Sequence, residues 1–154
     1  MSKKRATSIL FACFFIFFGV MLLFNVSWNY TWPTVLLFLG LAFEIGLLGK
    51  GAGVLIPGGL LLTLGVFFYY NAFTDYKHMS ILWPVFILAP GVGLFQFYLK
   101  TKDRGSLISS GILAVISAVF IGANLTNLPA GRIIIGGILI FAGILVLIRL
   151  VRKG

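Results

Sequence analysis

The chain has 154 residues, 60% of them hydrophobic and only 10% charged, with a formal net charge of +9. A soluble domain carries about a quarter of its residues as charges, so this composition excludes a water-solvated surface and fits lipid as the solvent. The apolar runs are continuous rather than alternating, which excludes a closed β-barrel and predicts helices of membrane-crossing length.

The first predicted span, 7–26, follows the basic start Met1-Ser2-Lys3-Lys4-Arg5. That beginning has the form of a signal peptide, but no A-x-A pattern follows, so the segment reads as a retained first helix. Cys13, the single cysteine, lies within it and reads as a small packing residue, with no internal disulfide or cysteine metal site. Five more spans are predicted at 33–48, 53–70, 84–99, 107–123 and 133–150. The second and fourth are short, about 24 Å at 1.5 Å per residue, and cross only a thin or pinched bilayer or sit among longer neighbours. Pro57 falls in the first turn of the third span, where it costs nothing. Pro90 falls inside the fourth and should release the carbonyl of Phe86 and kink the helix.

The spans repeat. WPTVLLFLG (32–40) returns as WPVFILAPG (83–91) and, more loosely, as LPAGRIIIG (128–136). In each, a proline precedes a glycine by seven positions: Pro33 and Gly40, Pro84 and Gly91, Pro129 and Gly136. Proline suits the first turn of a helix. Trp32 and Trp83 suit the membrane interface, and the glycines two turns further in allow close helix contact. The helices before these signals match as well. Gly19 precedes Asn25 by six as Gly65 precedes Asn71, and Gly53, Gly59 and Phe68 recur 52 positions later as Gly105, Gly111 and Phe120.

The expected fold is therefore all-α: a single transmembrane domain over 1–154, built of three tandem helical hairpins at about 1–50, 51–104 and 105–154. Each unit holds two spans, so the units are parallel repeats. Ten of the twelve Lys and Arg residues then fall on one side, which the positive-inside rule makes cytoplasmic, with both termini there. The basic clusters flank apolar runs and suit the anionic inner leaflet; nothing in them suits nucleic acid. In the fifth span Ser106, Ser110, Ala114, Ala118 and Gly122 recur every fourth residue, a stripe on which another backbone can pack.

Few residues can carry chemistry. Glu44 is the one carboxylate well inside an apolar run, and Gln96 holds nearly the same place in the second unit. The pair is either a functional polar site or a structural contact. The outer loop NAFTDYKHM holds Asp75, Lys77 and the only histidine, His78. Solvated contact with lipid headgroups is the expected role there; proton transfer is the alternative. No metal cluster, cofactor motif, phosphate loop or nucleophile elbow is present. Three N-x-S/T matches begin at Asn25, Asn29 and Asn124, and these asparagines read as turn and capping residues.

A glycine-rich apolar helix ending near Asn, followed by W-P and a glycine two turns in, resembles the LiaI/LiaF-like transmembrane region of bacterial envelope proteins. Here it is carried by FFGVMLLFN…WPTVLLFLG and GGLLLTLGVFFYYN…WPVFILAPG. The resemblance covers roughly the first hundred residues, and the last third matches as a degenerate copy. It implies a membrane component of an envelope-stress circuit that anchors or restrains partners, with no catalytic residues to carry over. No counterpart of the soluble LiaF-type C-terminal domain follows in this sequence, which counts against direct inhibition of a sensor kinase. The expected function is a non-enzymatic anchor, bilayer sensor or accessory subunit in a bacterial cytoplasmic membrane, working with a membrane protein partner or with copies of itself. A small transporter or channel built around Glu44 and Gln96 is the alternative, and a lipid-modifying enzyme using Asp75 and His78 is the third.

Overall fold

In the computed structural model, the residues described are 3–125, 136 and 137. Those residues form six α-helices and no strand: α1 (Lys3–Leu23), α2 (Trp28–Glu44), α3 (Leu55–Phe73), α4 (Met79–Leu82), α5 (Val85–Thr101) and α6 (Arg104–Leu125). A 3₁₀ turn, Ala52–Val54, leads into α3. The second helix of the third hairpin, expected over 133–150, lies outside the described residues apart from helical Gly136 and Gly137.

Helix ends follow local chemistry. α1, α2, α3 and α5 each stop near a left-handed residue: Asn25, Gly46, Asp75 and Lys102, with φ of 52°, 69°, 50° and 58°. Three of these ends close as Schellman motifs, in which the amides of Val26, Leu47 and Tyr76 donate to the carbonyls of Met21, Ala42 and Asn71. α6 starts on Asp103. Its carboxylate accepts from the Ser106 amide at 2.8 Å and from the Ser106 hydroxyl at 2.6 Å, so Asp103 is the N-cap and Ser106 the third helical residue.

The prolines correct the expected boundaries. α2 does not open at Pro33; it begins at Trp28 and runs through the proline. In the second copy the helical turn α4 begins at Met79, again five residues before the proline, and Pro84 interrupts it before α5 resumes. The repeat thus begins before the W-P signal. A proline at the sixth helical position frees only the Asn29 carbonyl, a small penalty at a helix end. α5 continues as one helix through Pro90, and Pro57 is the third residue of α3, where no hydrogen bond is lost.

The helices stand in an antiparallel row. α2 packs along α3, α3 along α5 and α5 along α6, while α1 touches α2 only lightly. With the 3₁₀ turn included, 52–73 and 104–125 are each long and apolar enough to cross a membrane; 7–23 and 85–101 are shorter apolar helices. Large apolar side chains are exposed along the whole row, among them Phe15, Val66, Phe95 and Ile108. The antiparallel order brings Glu44, Lys50, Lys100, Lys102 and Arg104 to one end and Asp75, Lys77 and His78 to the other.

Candidate functional site

The interface residues come in matched pairs. Trp32 lies on Phe68 with ring centroids 4.4 Å apart, and Trp83 lies on Phe120 at 5.4 Å. Tyr30 Oη donates to the Ala72 carbonyl at 3.2 Å; at the equivalent place Asn124 Nδ2 donates to the Ile81 carbonyl at 3.0 Å. A Cβ on Gly40 would stand 2.8 Å from Leu62 Cγ, and one on Gly91 would stand 3.2 Å from Leu113 Cβ. The α2–α3 and α5–α6 contacts are therefore one interface used twice, in which the second helix of a unit seats on the first helix of the next. Trp32 and Trp83, placed in the sequence as interface anchors, are held in these ring contacts; the fully buried Pro33 and Pro84 lie beside them. Gly136, the third member of the glycine series, has open space where a Cβ would stand.

The small-residue stripe of α6 is corrected. Ser106 and Ser110 are buried, but Ala114, Ala118 and Gly122 are exposed. The seam against α5 runs Ser110, Leu113, Ser117, Phe120, Asn124, with alternating spacings of three and four. An every-fourth stripe gains about 40° per step in a helix of 3.6 residues per turn, so it rotates out of a contact that alternating spacing holds in place. Ser117 Oγ donates to the Pro84 carbonyl at 2.8 Å, a cross-helix bond that sequence reading missed. Asn124 is likewise an interhelical donor rather than a cap, whereas Asn25 does end its helix. Asn71, aligned with Asn25 in the repeat, is instead fully buried within α3 and donates to the Phe67 carbonyl at 2.9 Å.

Glu44 and Gln96 approach the same turn of α3 from its two neighbours. A Cβ on Gly58 would stand 2.8 Å from Glu44 Oε1, and one on Gly59 would collide with Gln96 Oε1 and stand 2.8 Å from the Cα of Gly93. The glycine pair makes room for both polar side chains. Glu44 Oε1 and Gln96 Oε1 are both buried without a hydrogen-bond partner. A buried acceptor without a donor costs roughly 1–3 kcal/mol, so this turn offers two oxygen atoms to a cation or a hydrogen-bond donor, as the buried Asn71 Oδ1 offers one near the other end of α3. Gly58 and Gly93 were not singled out in the sequence. For Gly58 the signal was the alternating four-and-three spacing of Gly58, Leu62, Gly65, Tyr69 and Ala72, all of which meet α2; α5 carries no such signal for Gly93.

At the opposite end, Asp75, Lys77 and His78 are exposed. Asp75 and Tyr76 take left-handed backbone to turn the chain, with φ of 50° and 58°. His78 Nδ1 pairs with Tyr70 Oη at 3.1 Å, and the two rings stack at 6.0 Å. Beneath this end a polar knot joins the Thr34 hydroxyl to Tyr69 Oη and to the Tyr30 carbonyl. Beside the knot an open, apolar-walled cavity of about 730 Å³ lies between α1, α2 and α3, lined in part by Ile16, Val20, Leu37 and Tyr69. Among the described residues no group of three or more His, Cys, Asp or Glu could hold a metal ion.

No protein family, characterised protein or solved structure matches the chain.

Proposed function

We propose that the chain is a six-span protein of a bacterial cytoplasmic membrane, three hairpins with both termini inside. It works as an anchor, accessory subunit or sensor of bilayer state, without chemistry of its own. The observation that carries this reading is the mismatch between α2 and its neighbour. α2 has 17 residues and lies along the 22-residue segment 52–73. The two differ by about 8 Å at 1.5 Å per residue. At fractions of a kcal/mol per ångström, a change in bilayer thickness would load the α2–α3 interface by on the order of 1–2 kcal/mol. That is enough to shift helix contacts seen by a partner. The exposed apolar row and the resemblance to the LiaI/LiaF-like region favour the same reading. The test is reconstitution in bilayers of graded acyl length, reading Trp32 emission and a distance label across α2 and α3. A monotonic change is expected, and invariance across thickness defeats the sensor reading.

The unpartnered Glu44 and Gln96 oxygens favour a second reading, a small cation- or proton-coupled transporter whose path passes the Gly58–Gly59 turn. Glu44→Gln would then abolish a cation-driven flux in liposomes, and an unchanged flux would remove this reading.

A further inference from the structure

We infer that the groove between α3 and α5 seats an acyl chain of a phospholipid, with the lipid's phosphate held at the groove's end by His78 and Lys77.

Two helix faces build the groove. Thr63, Val66 and Tyr70 line it from α3, and Leu82 and Val85 stand opposite on α4 and α5. It encloses about 550 Å³. The Thr63 hydroxyl is turned back onto the Gly59 carbonyl at 2.7 Å, so the wall stays apolar. Along α3 the lining runs from Leu62 to Tyr70, about 12 Å at 1.5 Å per residue. That is close to the half-thickness of about 15 Å that the chains of one leaflet occupy. The groove ends on a polar pair. The Leu82 amide donates to the His78 carbonyl at 2.9 Å, which sets His78 one helical turn beyond Leu82. From there His78 Nδ1 meets Tyr70 Oη at 3.1 Å and joins the two walls.

The chemistry of that end fits a lipid phosphate. With the Tyr70 hydroxyl donating to Nδ1, the imidazole hydrogen sits on Nε2, where it can donate to a phosphate oxygen. Lys77, one position earlier, adds a positive charge, and both residues are exposed. Asp75 is exposed in the same turn, so the matching headgroup carries an amine beside its phosphate, as phosphatidylethanolamine does. The repeat supplies a comparison within the chain. The register that aligns Gly65 with Gly19 and Trp83 with Trp32 carries Thr63, Val66 and Val85 onto Phe17, Val20 and Thr34. All three line the cavity of about 730 Å³ in the first hairpin. The same register carries Tyr70 and His78 onto Phe24 and Ser27, and 24–31 holds no charged residue. The hairpin groove thus recurs, and in the second hairpin it gains an end for a headgroup. The inference rests on the membrane-spanning part of the proposed function and not on sensing.

The test uses the full chain in nanodiscs of phosphatidylethanolamine and phosphatidylglycerol. They are doped with phosphatidylethanolamine bearing a diazirine in its chain, or with the diacylglycerol of the same chains, and the label is mapped by peptide mass spectrometry. In the wild type the phospholipid probe should label Val66 and Leu82 about tenfold more than the diacylglycerol does. The two probes should label Phe17 and Val20 equally. His78→Ala should abolish the difference between the probes at Val66 and Leu82. Val66→Trp, at a position 63% exposed and therefore without crowding the core, should fill the groove and remove the label from Leu82 with either probe. The inference is overturned if both probes label the α3–α5 groove equally, or if His78→Ala keeps the preference. It is overturned as well if the groove stays unlabelled while Phe95 and Ile108, exposed elsewhere on α5 and α6, are labelled. Absence of label at every site, Phe95 and Ile108 included, overturns the membrane-spanning reading together with the inference.

Discussion

The indole of Trp32 rests on the ring of Phe68 with centroids 4.4 Å apart, and this contact joins the first repeat unit to the second. Its counterpart, Trp83 on Phe120, joins the second to the third. An aromatic pair of this kind contributes about 1 kcal/mol beyond its buried area. A double-mutant cycle of Trp32→Ala and Phe68→Ala, read by reversible unfolding in mixed micelles, should give a coupling of that size. Additivity within about 0.3 kcal/mol would mean that the rings touch without contributing.

Two glycines on facing helices should respond in opposite directions. A Cβ at Gly93 would collide with the main-chain carbonyl of Ile56, which cannot move without shifting α3. Gly93→Ala is expected to cost about 2 kcal/mol or more. Gly111 of α6 has nothing within 4 Å of a Cβ, so Gly111→Ala should add about 0.5–1 kcal/mol through helix propensity. Thermal unfolding of the two variants checks the sign directly.

Much of this architecture is legible in the sequence because apolar periodicity and the W-P repeat are local signals. The helical class, the approximate extents of the helices within 3–125 and the glycines Gly40 and Gly91 follow from them. The helix starts at Trp28 and Met79 do not, because the proline rule marks where a helix tolerates proline rather than where it begins. Which small residues face a neighbour is also illegible when read as an every-fourth stripe. Ala114 and Ser117 are both small, and only the phase of the α5 contact decides that Ser117 is buried and Ala114 is not. The meeting of Glu44 and Gln96 at one turn depends on α3 lying between α2 and α5, a tertiary fact no single segment contains.

Asp103 gives the α6 start a pH dependence. The Ser106 hydroxyl, then the Ser106 amide and the Gly105 amide, hold its carboxyl below the ordinary value of 3.8. A depressed folded value means that the unfolded chain binds the proton more readily. The stabilisation is therefore present above about 3.8 and is lost as pH falls through the lower folded value. Protection against amide exchange at the first turn of α6, taken relative to the intrinsic rate, should fall below that point in the wild type, while Asp103→Ala should show low protection already at neutral pH. Identical profiles for the two proteins would show that the cap is not formed in solution.

Gln96→Met separates a structural amide from one that holds something. An acceptor with no donor carries a desolvation cost, so replacing it with a thioether of similar shape should be neutral or stabilising by up to about 1 kcal/mol. A loss above about 2 kcal/mol would mean that Gln96 holds a donor or a bound cation in the membrane.

Every extensive interface described joins helices that are consecutive in the chain, apart from the short turn α4. Such a fold has low contact order and closes no long loops, so it can assemble progressively as synthesis proceeds. α3 finds α2 already made, α5 finds α3, and α6 finds α5. The exception is α1, which among the described residues meets α2 lightly and has no extensive contact with a later helix. Among the described helices, the one synthesised first is consequently the one its neighbours restrain least.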